Sequence, residues 1–218
     1  NVKIHNISGV HPAGNVGVQI HHIDPVNSGE KVWVVGAEDV ALIGKLFLTG
    51  EYNPTRTIAV SGPPVKYPQY YKTIVGSSLS EIIKDAGIDT DLNLRFINGD
   101  VLTGRSVEKD NYLGFYNNTL SVLREGNHYR MFGWIPFINN AVPSIYKTSF
   151  SWLFPNKKYD LDTNLNGEER AFVVTGEMED VFPMDIFPMQ LLKECMSGNI
   201  EKMENLGIYE VAPEDFAL

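Results

Sequence analysis

The chain has 218 residues, 43% of them apolar, and a formal net charge of −9. That supplies enough apolar sequence for a core and more length than one average domain, so two or three compact units are expected. The longest apolar stretch, Val40 to Leu48, is broken by Gly44 and Lys45 and falls far short of the ~20 residues of a membrane span.

Cys195 is the single cysteine, which excludes an internal disulfide and suits a reducing compartment. The charge is uneven. From Asp160 onward there are 14 acidic and 3 basic residues, a net of −11, which leaves +2 for the preceding stretch. Such a field disfavours nucleic acid, whose recognition needs clustered Lys and Arg. It suits either a plain solvated surface, the default, or a basic protein partner.

Asn1 opens on a strand-like pattern through Ile7 with no leader signal, which reads as a cut through a larger protein. Ser8 to Gly17 holds three glycines and a proline and is expected to be a tight loop. Val18 to Ile23 reads as a second extended run closed by Asp24-Pro25, and Glu30 to Val35 as a strand. In that geometry His21 and His22 point to opposite faces and do not readily share a metal. A helix is expected from Ala37, with Val40, Ile43, Gly44 and Phe47 on its apolar face and an end near Gly50.

The centre of the chain is the most regular part. Thr57 to Ser61 alternates into Gly62-Pro63-Pro64, and Val65 to Val75 supplies a second run of β-branched and aromatic residues. Ser78-x-x-Glu81 has the spacing of a capping box, with Leu79, Ile82, Ile83 and Ala86 recurring on one helical face before Gly87. Leu92 to Ile97, the turn at Asn98-Gly99-Asp100 and Thr119 to Leu123 follow. Strand, strand, helix, strand, strand is the order of a β-grasp module. Beyond a turn at Glu125-Gly126-Asn127, Tyr129 to Ile135 reads as a returning strand and Pro136 to Tyr159 as an irregular connection. The C-terminal part is expected to be helical, with Pro188 in a first turn, Leu191, Leu192 and Cys195 on one face, and further helices from Ile200 and Pro213.

Asp162-x-Asn164-x-Asn166-Gly167 matches half of a calcium loop, but the twelfth position is Val173, so a polar turn is the reading. Five histidines and one cysteine give no zinc spacing, and no serine sits in a nucleophile elbow; no metal and no catalytic residue are assigned. The glycine loop lacks both the G-x-G-x-x-G spacing and a Lys-Ser/Thr ending, so it is no phosphate fingerprint. His11, beside Pro12, is the residue there that a rigid loop can hold toward a ligand or partner, with an ordinary hydrogen-bonded loop histidine as the default. Phe172, Thr175, Met178 and Phe182, followed by proline, fill the four positions of the run that holds a cubane iron–sulfur cluster in ferredoxins, yet none is cysteine.

Gly9-Val-His-Pro-Ala-Gly14, His21-His22-Ile23-Asp24-Pro25-Val26, Ile43-Gly44-Lys45-Leu46-Phe47 and Thr49-Gly50-Glu51 resemble the A subunit of the sodium-translocating NADH:quinone reductase. So do Val75 to Leu79, Asn98 to Gly104, Tyr112-Leu113-Gly114, Met184 to Pro188 and Pro213 to Leu218, in order along the chain. That family is similar to the C subunit of the electron-transport complex and to the flavoprotein of respiratory complex I. The resemblance implies an α+β chain: the end of a Rossmann-like α/β region over 1–54, a soluble-ligand-binding β-grasp over 55–135, and an irregular connection with a small helical region over 136–218. In the relatives the last region binds clusters, so Phe172, Thr175, Met178 and Phe182 would stand where ligands stood. The flavin and nucleotide loops would lie before Asn1, and a short cysteine-containing tail would follow Leu218.

The resemblance further implies a peripheral subunit on the cytoplasmic face of the bacterial inner membrane, attached through other subunits of the reductase. NAD, flavin and iron–sulfur centres are expected elsewhere in that complex, and quinone is a candidate ligand. His11, Pro12, Gly14, His21 and Asp24 are the candidate ligand or partner contacts. The competing expectation is a structural adaptor that docks other subunits and binds no ligand.

Overall fold

The computed structural model describes residues 2–128, 131, 153, 156–166 and 171–217. The chain is mixed α/β and divides into two compact units, one made of Asn1–Asn53 with Ala171–Leu218 and the other of Pro54–Arg170.

The second unit is built on five strands: β1 (Thr55–Ser61), β2 (Gln69–Ile74), β3 (Leu94–Asn98), β4 (Arg105–Val107) and β5 (Thr119–Arg124), with helix α3 (Leu79–Asp85) between β2 and β3. The sheet order is β2-β1-β5-β3-β4. Only β1 and β5 run parallel; the other neighbours are antiparallel, with Ile58 opposite Tyr71 and Phe96 opposite Val122. Parallel neighbours need a crossover, and the segment carrying α3 supplies it. The alternation of β1 buries Arg56, Ile58 and Val60 on one face, and Ile58 and Val60 join one core cluster with Leu79, Ile82 and Ile83 of the helix and its cap residue Ala86. Burying each large side chain is worth roughly 1.5–3 kcal/mol, and this core dominates the unit.

Gly62 shows how closely the sheet is drawn in. It has a φ of +133°, and a Cβ there would sit 1.9 Å from the Val122 carbonyl oxygen. Arg56, 2% exposed, ends the buried row of β1, donating from Nη1 to the Phe115 carbonyl (2.5 Å) and to Asn118 Oδ1 (3.2 Å).

The capping box does not form. Ser78 occupies the cap position, but its hydroxyl bonds Ser80 Oγ at 2.7 Å instead of a helix amide. The short strand β4 has no counterpart in the sequence reading, because three residues carry no alternation to read. After β5, the turn expected at Glu125 to Asn127 is not a free hairpin. Gly126 N–H donates to Thr163 Oγ1 (2.8 Å), and Thr163 N–H donates to the Arg124 carbonyl (3.1 Å). The expected strand Tyr129–Ile135, apart from Met131, and most of the connection Pro136–Tyr159 lie outside the described residues.

The first unit holds α1 (Val16–Ile23), α2 (Ala37–Thr49), α4 (Glu177–Val181), α5 (Pro188–Ser197), α6 (Ile200–Asn205) and 3₁₀ turns at Ile208–Glu210 and Pro213–Phe216. Three expectations are corrected here. Val18 to Ile23 is helical, because Asn15, Val18 and His22, at helical spacing, all meet the chain between Pro183 and Phe216. Residues 2–7 and 30–35 form no ladder with any described residue. The segment from Pro213 is a 3₁₀ turn.

Helix α2 forms where its periodicity predicts, yet none of its residues is buried, and Val40, Ile43 and Phe47 are 57%, 47% and 85% exposed. Helix α5 begins on Pro188 as expected and seals Leu191 completely, but Cys195 on the next turn is exposed.

Candidate functional site

The sequence points to the loop before α1, and the structure shows what that loop holds. Pro12 follows His11 through a cis peptide and is buried, while Ala13 N–H and Asn15 N–H close successive turns onto Val10 O (2.9 Å) and Pro12 O (2.8 Å). Gln19, one turn into α1, reaches back to the carbonyls of Ala13 and Gly14 at 3.4 and 3.2 Å. The loop is thereby fixed by its own helix. Gly14 is exposed with open space around its Cα, and Asp24 is exposed past the end of α1.

The side chains that leave this frame all reach the C-terminal stretch of the same unit. His11 Nε2 lies 2.6 Å from the Ala217 carbonyl, and His22 Nε2 lies 2.8 Å from the Pro183 carbonyl. A carbonyl only accepts, so both rings donate there. His21 works differently. Its Nε2 accepts the Asp185 N–H at 3.1 Å, which places the proton of the neutral ring on Nδ1, 2.7 Å from Glu210 Oε2. One imidazole therefore fixes Asp185 and Glu210 together. The adjacent His21 and His22 rings meet edge to face, 5.2 Å apart.

Asp215 completes the arrangement and is fully buried. Its Oδ2 accepts the Ala212 N–H at 2.9 Å, and its Oδ1 accepts from Asn15 Nδ2 at 3.3 Å. The carboxylate lies against Gly17 in the first turn of α1, where a Cβ would come within 2.4 Å of Oδ2, so only glycine admits it. A carboxylate near a helix N-terminus is electrostatically favoured. Beneath these polar ties, Val18, Phe182 and Met184 form a small buried cluster, with the Phe182 and Phe216 rings 5.2 Å apart.

Of the candidate contacts, His11 and His21 are thus brought together against the C-terminal stretch, Pro12 shapes the loop, and Gly14 and Asp24 stay at the surface. Asn15, Gly17, Asp185, Glu210 and Asp215 belong to the same arrangement and are not singled out by the sequence reading. The signal available for the first two is a helix-capping type followed by a small residue at an α-helix start. For the acids there is none, because their partners lie far away in the chain.

The four positions with cluster-ligand spacing differ in environment. Phe182 is 6% exposed, Met178 is half-buried, Thr175 is exposed, and Phe172 is 41% exposed. Of the two phenylalanines at these positions, Phe182 is therefore buried and Phe172 is not. The polar turn at Asp162 closes on itself: Asp162 Oδ1 accepts the Asn164 N–H (3.0 Å), and Asn164 Nδ2 donates to Asn166 Oδ1 (3.2 Å).

Two family models match. That of the NqrA second alpha/beta domain covers residues 1–52, and that of the NQRA C-terminal domain, an SLBB model, covers residues 57–109. Among curated proteins, the A subunit of the Na(+)-translocating NADH-quinone reductase of Haemophilus influenzae (strain PittGG) is 42% identical over 221 residues, covering 100% of this chain and 48% of the relative. The protein of the same name from Neisseria meningitidis serogroup B is 38% identical over 219 residues, with 100% and 48% coverage. That from Rhodopirellula baltica is 37% identical over 223 residues, with 100% and 47% coverage. The chain thus spans about half the length of the curated relatives it matches. Along its whole length it is similar to the A subunits of Na(+)-translocating NADH-quinone reductases, and its two matched segments are those of the NqrA second alpha/beta domain and the NQRA C-terminal domain.

Proposed function

We propose that this chain serves as part of a peripheral subunit of a sodium-pumping NADH:quinone oxidoreductase, contributing to quinone-linked electron transfer and to assembly on the cytoplasmic face of the bacterial inner membrane. The observation that carries the reading is similarity along the whole chain to proteins named as the A subunit of that reductase. Attachment through other subunits fits the fact that, among the described residues, no helix is long and apolar enough to cross a membrane. The strand order, with its parallel central pair and crossover helix, supports a β-grasp for 55–135. The uncovered apolar residues of α2 and of 32–35 support reading 1–54 as one part of a Rossmann-like layer.

The donor set argues against a cluster in this stretch, since positions 172, 175, 178 and 182 offer no thiolate and Cys195 is the only thiol. NAD, flavin and iron–sulfur chemistry are assigned to other parts of the complex, and quinone stays the candidate ligand.

The structural-adaptor reading gains support from one observation: His11, His21 and His22 are engaged by the chain's own C-terminal stretch, which leaves the loop less to offer a ligand. The two readings separate in one experiment. A quinone analogue should raise the melting temperature of the chain if it binds there, with the gain growing as the logarithm of concentration. Stabilisation by partner subunits alone, with no response to quinone analogues, overturns the quinone-linked part and leaves the adaptor.

A further inference from the structure

Helix α5 has two apolar sides, and only one is used. Pro188, Met189 and Leu191 are buried, whereas Leu192 and Met196, one turn apart, border an open groove of about 360 Å³ completed by Phe172 and Cys195. Met196 is 78% exposed, and Ile200, four residues further on in α6, is 68% exposed. Leu192 and Met196 thus share one side of α5, and Ile200 adds an exposed apolar residue at the start of α6, beyond the left-handed Gly198.

The surroundings are acidic. Residues 171–217 carry ten acidic and two basic side chains, a net of −8. Glu210 and Asp215 are consumed inside the unit, and Glu194 is paired with Lys202 at 3.3 Å. Glu177 and Asp180 of α4 and Glu201 of α6 are exposed and have no cationic partner among the described residues. An apolar groove within a negative field repels a second copy of itself and complements a segment that is apolar on one side and basic on the other.

We propose that this groove docks a Lys- and Arg-rich amphipathic helix from a cytoplasm-facing loop of a membrane partner. The assignment of the source rests on the peripheral-subunit reading above, because Lys and Arg accumulate in the cytoplasmic loops of membrane proteins. Apolar anchors enter between Phe172 and Met196, and the basic side meets Glu177, Asp180 and Glu201. Met supplies an adaptable lining for such an anchor.

The test uses a designed Leu/Lys amphipathic helical peptide and its Leu/Glu counterpart, titrated into the chain and into a Met196→Glu variant. Met196 is 78% exposed, so the variant should keep the wild-type melting temperature. Expected are saturable one-to-one binding of the basic peptide, weakening with salt, a loss of about tenfold or more in the variant, and no binding of the acidic peptide. Equal binding by wild type and variant, binding of both peptides alike, or a concentration-dependent dimer abolished by the substitution would overturn the proposal.

In cells producing the whole reductase, Met196→Glu and Glu201→Lys should lower co-purification of the chain with its membrane partners. Co-purification of the variants at wild-type level overturns the docking site alone. Failure of the wild-type chain itself to co-purify overturns the peripheral-subunit reading instead.

Discussion

Each unit is ordered internally by different physics. In the sheet unit, α3 and the strands enclose one continuous apolar core running from Ile58 to Val122, and its register follows from which side chains face inward. In the unit containing α1, the buried apolar cluster is Val18, Phe182 and Met184, and the chain around it is ordered by His11, Asn15, His21, His22 and Asp215. Apolar burial is non-directional and tolerates approximate fit. A buried carboxylate or a tautomer-specific imidazole does not, because a lost partner leaves a desolvated group behind. A thin core can thus hold a unique arrangement when its polar ties are specific.

The largest effect that would expose this difference is truncation in the sheet core. Leu120 is 0% exposed, and Leu120→Ala should cost about 3–5 kcal/mol in denaturant unfolding, whereas Leu46→Ala on the 38%-exposed face of α2 should cost about 1 kcal/mol or less. Comparable losses at the two positions would show that α2 is covered in solution. Gly62→Ala belongs with the severe class, since both the positive φ and the Val122 carbonyl oppose a side chain; soluble yield and melting temperature should both fall.

In the other unit, Phe182→Ala should cost about 3 kcal/mol by emptying the cluster against Val18 and Phe216, while chelators leave the wild-type melting temperature unchanged. A variant as stable as wild type would mean that Phe182 carries no packing load. Asp215→Ala should cost about 2 kcal/mol, since it strands the Ala212 N–H and the Asn15 amide. Adding Gly17→Ala to Asp215→Ala should cost much less than Gly17→Ala alone, because the carboxylate that forbids a Cβ is gone. Fully additive losses would show that the two residues do not oppose each other.

These residues also explain what the sequence discloses and what it hides. The strands β1 and β5 and helix α3 are legible because alternation and the 79/82/83/86 spacing are local consequences of facing one core. Val18 to Ile23 reads as a strand because Val18, Ile20 and Ile23 favour one locally, and the contacts that make it a helix come from partners 161 to 200 residues away. The same distance hides Glu210 and Asp215. Ser78 and Glu81 have the right spacing, but Ser80 captures the hydroxyl, a competition between neighbours that spacing alone does not encode.

The smallest effect concerns acid. Asp100, in the loop after β3, is drawn in two directions: partial burial works to raise its pKa, while its bonds to the Thr103 hydroxyl and to the N–H groups of Thr103 and Leu102 outweigh that and leave it below the ordinary carboxylate value. Glu125 is lowered chiefly by its bond to Arg95, against the opposing effect of burial and with help from the Thr163 hydroxyl. A carboxyl with a depressed folded pKa contributes stability that is fully present above its unfolded value and is lost as the pH falls through the folded one. The sheet unit should therefore keep its melting temperature from neutrality down to about pH 5 and lose part of it below about pH 4. Asp100→Asn keeps an acceptor for the loop amides but cannot titrate, so it should be less stable than wild type at neutral pH and show a shallower decline in acid. Melting curves of wild type, Asp100→Asn and Glu125→Gln across that range decide the matter. If all three lose stability in parallel, the acid response of the sheet arises elsewhere, and these bonds contribute to local geometry alone.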